Sequence, residues 1–381
     1  MKKKRKILIY FLLSILLLIA TLIIFHQPIL EQLLLRQMSK GNIPGVGISL
    51  INENTIKWSK SFGVITKGSD ISVSPETLFQ AASVTKLLVA SLALHFVEKG
   101  LLELDKDINL YLKSWKIQDN DLTAEKKVTL RLLLSHQSGL PETNFSYQGS
   151  TAPSLTQVLN GELPAQNKPA LIEYTPGSRW LYSNIAYVVL QLLIEDIGGQ
   201  PIEKIMKDII FEPLNMSSST LVYPLTNEFS KSKMAFPHDA EGKTYSPDLH
   251  PTAVAQGGLI TTPSDLAKFI IEIMRAYQGE SNLIISKDMA HQMFHAEIAL
   301  DPQALGGIQA YQGLGVFIAK GDKFYIFSVG NNAPGSNCWA LGIPELGKGA
   351  VVMTNGQQGF DLSPKIIGAL LITNRWPMPD L

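Results

Sequence analysis

From Val84 to Val97 the apolar residues fall on every side of a helix rather than along one stripe, the pattern of a helix buried in the middle of a domain. A chain with such a segment has to build a core around it, and 381 residues, 45% of them hydrophobic, are enough to do so. Gly100 closes the segment as a C′ residue. The helix opens on Gln80-Ala81-Ala82-Ser83-Val84-Thr85-Lys86, so Ser83 falls in the first turn. There, free backbone N–H groups and the positive end of the helix dipole can face an oxyanion. Lys86 lies one turn along the same face. The pair supplies a hydroxyl nucleophile and an amine that can take its proton, provided burial lowers the lysine from its reference pKa of about 10.4. An exposed helix lysine is the competing reading, and Leu87, Leu88 and Val89 leave it little polar surface to join. The spacing recurs at Ser230 to Lys233, in a polar stretch without a buried-helix pattern, so it carries meaning only with its setting.

Charge excludes several classes. The formal net charge is zero and no basic stripe appears outside the first six residues, so the electrostatic signature of nucleic-acid binding is missing. The single cysteine, Cys338, rules out an internal disulfide and any cysteine-rich metal site. Lys2, Lys3, Lys4, Arg5 and Lys6 precede an uncharged apolar run from Ile7 to Phe25, which as a helix spans roughly 28 Å, about one hydrocarbon core. This predicts a cytoplasmic basic segment at 1–6, a transmembrane signal anchor at 7–25, a connector at 26–39, and everything beyond on the periplasmic or extracellular side. A cleaved signal peptide is the competing reading. The run exceeds the ~7–15 residue apolar region of such peptides, and no clear Ala-x-Ala site follows it. No cysteine lies just after the run, which argues against a lipoprotein.

Val46 to Ile51 and Ile56 to Val64 read as strands joined at Asn52-Glu53-Asn54-Thr55, a hairpin at a sheet edge. Leu181 to Ile197 reads as a helix capped by Gly198-Gly199, and Pro201 to Leu214 as another. Residues 87 to about 250 are therefore expected to be mostly helical. A further helix enters through Thr262-Pro263-Ser264-Asp265. From Gly313 the pattern changes to strands: Leu314 to Ala319, Phe324 to Val329, Asn337 to Ile343 and Gly349 to Thr354, before a last helix from Ser363-Pro364 to about Asn374. Strands at both ends with helices between imply an α+β fold whose sheet is assembled from distant segments, the helical middle being an insertion.

Tyr182-Ser183-Asn184 is the only Tyr-x-Asn in the chain and falls where a helix begins. A phenol beside a lysine can relay protons, and a carboxamide can hold both a lysine and a substrate carbonyl. A core tyrosine with a capping polar pair is the alternative. His136, in the loop Ser135-His136-Gln137-Ser138-Gly139-Leu140-Pro141, invites a catalytic role, but nothing near it supplies an acid partner, and a histidine bonding loop backbone is the preferred reading. His291 and His295 share a helix face, but no glutamate follows His291 as in a zinc-protease motif, so surface or core histidines are favoured over a metal site.

Taken together, these motifs resemble those of the serine β-lactamase-like hydrolases, the penicillin-recognising group that includes class C β-lactamases, D-alanyl-D-alanine carboxypeptidases and related esterases. Phe79 to Lys86 resembles the first family motif and Tyr182-Ser183-Asn184 the second. Leu133 to Pro141, Gly257 to Thr262 and Val352 to Gly356 match flanking stretches. The resemblance covers about residues 40 to 375, leaving 376–381 as a tail. It implies an antiparallel sheet flanked by helices, an inserted all-helical subdomain at about 87–250, and a cleft between them. It also implies Ser83 as nucleophile, Lys86 and Tyr182 as proton-transfer partners, and Asn184 as a polar positioner. Gly330 and Asn331 would contact substrate from the third-motif strand, one of whose N–H groups would join that of Ser83 in an oxyanion hole. No cofactor or metal is implied. The partners are a small-molecule or peptide substrate with an ester or amide bond and, through the anchor, the membrane.

The third motif departs from the family. Where relatives have Lys-Thr-Gly or His-x-Gly, this chain reads Phe327-Ser328-Val329-Gly330-Asn331-Asn332-Ala333-Pro334-Gly335. Val329 or, with one inserted residue, Ser328 is expected at the cationic position; neither is charged. Neutral esters or amides thus become better candidates than substrates carrying a carboxylate. With Lys86 the one certain cation, Tyr182 is expected to stay protonated at neutral pH and Lys86 to act as the base. The alternative function is a binding or scaffold module of the cell envelope that kept the fold and lost turnover.

Overall fold

The computed structural model describes residues 30–225, 232–246, 250, 252–302, 309–332 and 335–379. The expected anchor at 7–25, the basic segment before it, Ser230 of the second Ser-x-x-Lys pair, and Ala333 and Pro334 lie outside the described residues. Among the described residues no single helix is long and apolar enough to cross a membrane.

The strands are β1 (Gly45–Asn52), β2 (Thr55–Gly63), β3 (Phe79–Gln80), β4 (Ile260–Thr261), β5 (Ile298–Ala299), β6 (Ala310–Gln312), β7 (Phe317–Ala319), β8 (Tyr325–Asn332), β9 (Ser336–Ile343) and β10 (Lys348–Thr354). Eight of them form one antiparallel sheet in the order β2-β1-β10-β9-β8-β7-β6-β5. The expected edge hairpin is there: Glu53 and Asn54 at its tip both have positive φ, 52° and 53°, the backbone that a two-residue turn needs to match the strand twist. Pairing of β1 with β10, Val46 opposite Thr354 to Ile51 opposite Gly349, closes the sheet from the two ends of the chain.

The helices are α1 (30–40), α2 (Thr85–Glu98), α3 (Leu130–Leu134), α4 (Leu155–Asn160), α5 (Asn184–Gly198), α6 (Ile202–Met206), α7 (Pro263–Gln278), α8 (Lys287–Met293) and α9 (Gly359–Thr373). Alternation along β1 explains how they divide between the two faces. Val46, Ile48 and Leu50 pack into one core with Leu362, Ile366 and Ile367 of α9. The residues between them are small. A Cβ on Gly47 would come 2.8 Å from Pro263 Cγ, so the bare backbone lets α7 lie close on the other face. Helix α2 is buried all round: Leu87, Leu88, Val89, Ala90, Leu92, Ala93 and Leu94 are at most 1% exposed. At roughly 1.5–3 kcal/mol for each fully buried leucine, that burial anchors the helix that carries Ser83. Gly100 leaves it with φ +70°, and α5 ends likewise at Gly199, φ +65°.

Two expectations need correction. The insertion is less helical than its pattern suggested: between α2 and α5 the described residues form only the short α3 and α4 and two single 3-10 turns, and the expected helix from Pro201 becomes α6 followed by a π turn at Lys207–Phe211. Its apolar residues reach the core from loops, as Leu102, Ile117 and Leu140 do. The last helix starts at Gly359, upstream of Ser363-Pro364, because Leu362 already packs on the sheet; core packing overrides the proline, and the Ser363 hydroxyl donates to the Gly359 carbonyl at 2.8 Å.

Candidate active site

Ser83 is presented by a strained turn. Strand β3 pairs with β4 (Phe79 opposite Thr261), and Ala81 N–H continues the pairing by donating to Leu259 O at 2.8 Å. Ala82 then takes φ +47°, a left-handed conformation that residues with a side chain rarely adopt, and Ser83 follows in a 3-10 turn leading into α2. The Thr85 hydroxyl pins the turn, donating to Ala82 O at 2.6 Å and accepting the Leu259 N–H at 3.0 Å.

Two side chains meet at the Ser83 hydroxyl. Lys86 Nζ lies 3.1 Å from Ser83 Oγ and donates to the Gln256 carbonyl oxygen. The Tyr182 phenol donates to Ser83 Oγ at 2.7 Å. Lys86 is 3% exposed and sits 4.9 Å from the Tyr182 ring centroid and 5.4 Å from that of Tyr187. Burial lowers its pKa well below 10.5. Burial also pushes the Tyr182 phenol up to about 12, against a smaller opposing effect of its bond to Ser83. Burial thus works against the charge on the lysine and against ionisation of the phenol alike.

His136 holds the second motif in place. Its carbonyl accepts the Leu181 N–H at 2.9 Å and its Nδ1 accepts the Ser183 N–H at 3.2 Å, so Nδ1 carries no proton. Burial, with the nearby Lys86 adding to it, pushes the imidazole down to about 3. The ring packs 4.5 Å from that of Tyr182. Ser183 donates to Pro141 O at 2.9 Å and caps α5 at the Ala186 N–H. Asn184 opens α5 but does not reach Lys86: its Nδ2 donates to Thr143 O at 3.4 Å, and its buried Oδ1 has no hydrogen-bond partner among the described residues.

Strand β8 forms the opposite wall. A Cβ on Gly330 would lie 2.2 Å from Ala81 O and 2.9 Å from Ser83 N, so this glycine is the one packed on the nucleophile. Gly335 abuts the His238 backbone instead. That choice of glycine puts Ser328, 5% exposed, at the position where the motif resemblance leads one to expect a cation. Ser328 and Val329 line the cleft; Asn331 is exposed at the strand end, opposite Asn337. Strand β7 pairs with β8 at Tyr325 to Phe327, which among the described residues leaves the edge of β8 beyond Phe327 without a strand beside it as it passes Ser83. Among the described residues lining the cleft, Lys86 is the only lysine or arginine. Lys320 lies over the Tyr311 ring and Lys323 pairs with Glu345. The cavity holds about 20 Å³, room for a water molecule.

Several members of the site were missed in the sequence. Gln256 acts through its carbonyl, which any residue could supply; the following Gly257-Gly258 was its only signal. Gln312 accepts from Trp180 Nε1 at 3.2 Å and donates to Gly313 and Val316 carbonyls, and Phe317 faces the same cleft. The other two histidines weighed in the sequence are elsewhere: His291 stacks on Tyr277 at 4.2 Å, and His295 is exposed near Glu297.

Residues 30–372 match the Beta-lactamase family. A putative D-alanyl-D-alanine carboxypeptidase of Escherichia coli O157:H7 is 30% identical over 209 residues, 52% of this chain and 48% of that protein. The chain thus spans about half the length of this relative. An N-acetylmuramyl-L-alanine amidase of Bacillus subtilis is 25% identical over 316 residues, 72% of this chain and 69% of that protein. Among solved structures, the octameric penicillin-binding protein homologue from Pyrococcus abyssi superposes with a TM-score of 0.71 at 25% identity, over 86% of this chain and 73% of that one. The D-amino acid amidase from Ochrobactrum anthropi SV3, at TM-score 0.70 and 19% identity over 89% of this chain and 96% of that one, shares the fold. Because the family match runs from the first described helix into the last, taking in the sheet and the insertion alike, the chain belongs to the beta-lactamase family.

Proposed function

We propose that this beta-lactamase-family hydrolase forms an acyl-enzyme on Ser83 and acts on a neutral ester or amide. The observation that carries the reading is the meeting of Lys86 and Tyr182 at the Ser83 hydroxyl, 3.1 and 2.7 Å from it. Since the phenol donates to Ser83 Oγ, the serine's own hydrogen is free to point at the lone pair of neutral Lys86. As Oγ bonds to the substrate carbonyl carbon, its proton passes to Nζ. The oxyanion forms against the Ser83 N–H and an N–H on the free edge of β8. Tyr182 gives its proton to the leaving group and recovers one from Lys86, and water then releases the acyl group by the reverse route. A fluorophosphonate probe tests this: it should label the wild type and not Ser83→Ala, and equal labelling of the two would refute the assignment.

The amide linkages in the names of the relatives, a carboxypeptidase and an amidase, support an ester or amide substrate. Ser328 at the cationic position favours neutral ones. Loss of one charge-assisted contact to a carboxylate removes about 1.5–3 kcal/mol, roughly tenfold to a hundredfold or more in specificity. Short-chain neutral esters are expected to be turned over better than penicillins or D-alanyl-D-alanine peptides, and Ser328→Lys should narrow the gap. Efficient carboxypeptidase activity of the unaltered chain on a cell-wall peptide would contradict this.

The basic cluster and the apolar run at 7–25 support an anchor with the hydrolase domain outside the membrane. Protease added to intact cells, or to spheroplasts where an outer membrane is present, should digest the domain. Protection of residues beyond 40 would sink the topology.

A further inference from the structure

On the sheet face away from α7, a groove of about 420 Å³ runs between α1, the edge strand β2 and α9, within the ~300–1,000 Å³ usual for small-molecule sites. Its walls are apolar: Leu34 from α1, Trp58 and Phe62 from β2, and Ile366, Ala369 and Leu370 from α9. Leu33, at its rim, is 47% exposed. Three lysines stand around it. Lys60 pairs with Glu31 at 2.5 Å, whereas Lys57 and Lys365 are exposed and have no partner among the described residues. This groove is remote from the catalytic cleft and shares no lining residue with it.

Its place in the chain says what would fill it. The segment 26–29, between the apolar run and α1, spans at most ~14 Å even when fully extended. A domain tethered so closely holds α1 and the groove beside it against the headgroup layer. We infer that the groove seats an acyl chain of an anionic phospholipid from the outward-facing leaflet, with its phosphate between Lys57 and Lys365. The inference rests on the anchor proposed above. An apolar trough with unpaired cations at its mouth complements such a lipid at both ends, and a zwitterionic lipid at only one.

Photolabelling the full chain in phosphatidylglycerol vesicles doped with phosphatidylglycerol bearing an acyl-chain diazirine tests it, with peptides mapped by mass spectrometry. Labels are expected in 30–37 and 362–374 as well as in 7–25. Ala369→Trp, which fills the groove, should bring groove labelling to background. Lys57→Gln with Lys365→Gln should lower it roughly tenfold to thirtyfold, and phosphatidylcholine vesicles should do the same to the wild type. Labelling of 7–25 should be unchanged throughout, and ester turnover reports that each variant is folded. Labels confined to 7–25, or groove labels indifferent to all these changes, overturn the inference and leave the anchor standing. Groove labels without any in 7–25 keep the lipid site and remove the anchor. Loss of groove labelling as protein density rises, with copies cross-linked through α1 and α9, would assign the groove to a second copy and overturn the lipid.

Discussion

Lys86→Ala is expected to abolish measurable ester turnover, whereas Tyr182→Phe retains a rate that can be followed. The difference follows from which group holds a proton at neutral pH. Burial lowers the Lys86 ammonium well below 10.5, while it pushes the Tyr182 phenol up to about 12. Of the two groups touching Ser83 Oγ, the amine is therefore the one that burial drives toward a free lone pair. General base catalysis contributes about 10²–10⁴-fold, and Lys86→Ala forfeits it together with a hydrogen bond to the part-buried Ser83 hydroxyl. In Tyr182→Phe the base remains, and water can protonate a good leaving group such as a nitrophenol. The pH dependence has a definite sign. Protonated Lys86 cannot accept, so activity rises with pH as the lysine loses its proton and levels off above its lowered pKa. The rise should persist in Tyr182→Phe. His136 cannot be its source: it is pushed down to about 3 and its Nδ1 is occupied by the Ser183 N–H. If Tyr182→Phe is as dead as Ser83→Ala while Lys86→Ala stays active, the phenolate is the base and the assignment fails. No second cation is at hand among the described residues to make the phenolate, since Lys320 and Lys323 are engaged away from the cleft.

What the sequence disclosed about fold and site follows the kind of signal each residue leaves. The all-round apolar pattern of α2 and the apolar runs in β1, β8, β9 and β10 were legible because burial selects side chains directly. Strands of two or three residues such as β3, β4, β5 and β6 left none, since they are too short for a period to show. Loops of the insertion read as helix because their leucines and isoleucines are buried at irregular intervals. In the site, Ser83, Lys86 and Tyr182 could be named from spacing because their side chains do the contacting. Gln256 could not, because it contributes a carbonyl, and the role of Asn184 was drawn from its place in a motif, whereas its amide bonds Thr143. Two glycines in the third stretch left the register of that strand open. Only packing distinguishes them: Gly330 lies on Ser83, and Gly335 on His238.

That packing makes Gly330 the position where the smallest change should have a large effect on rate. A methyl group there would come 2.2 Å from Ala81 O, 2.9 Å from Ser83 N and 3.1 Å from Val84 N. All three are backbone atoms, held by the β3 and β4 pairing and by the Thr85 hydroxyl, so no side chain can swing aside to make room. To fit alanine, the strand and the Ser83 turn must move apart. The distance between the Ser83 N–H and the free edge of β8 is the distance across which the proposed oxyanion is held, and donors have to sit at about 2.7–3.1 Å to be effective. Gly330→Ala is therefore expected to lower kcat about 10²–10³-fold, as loss of one oxyanion donor does, with KM little changed because the substrate ground state does not need that contact. Gly257→Ala serves as the comparison. It also faces Ala82, but its added Cβ would meet nothing closer than 3.6 Å, an ordinary contact. Steady-state kinetics on a neutral ester for both variants, with thermal melts to confirm folding, decide the matter. A Gly330→Ala protein that melts as the wild type does and turns over at the wild-type rate would show that β8 supplies no oxyanion donor.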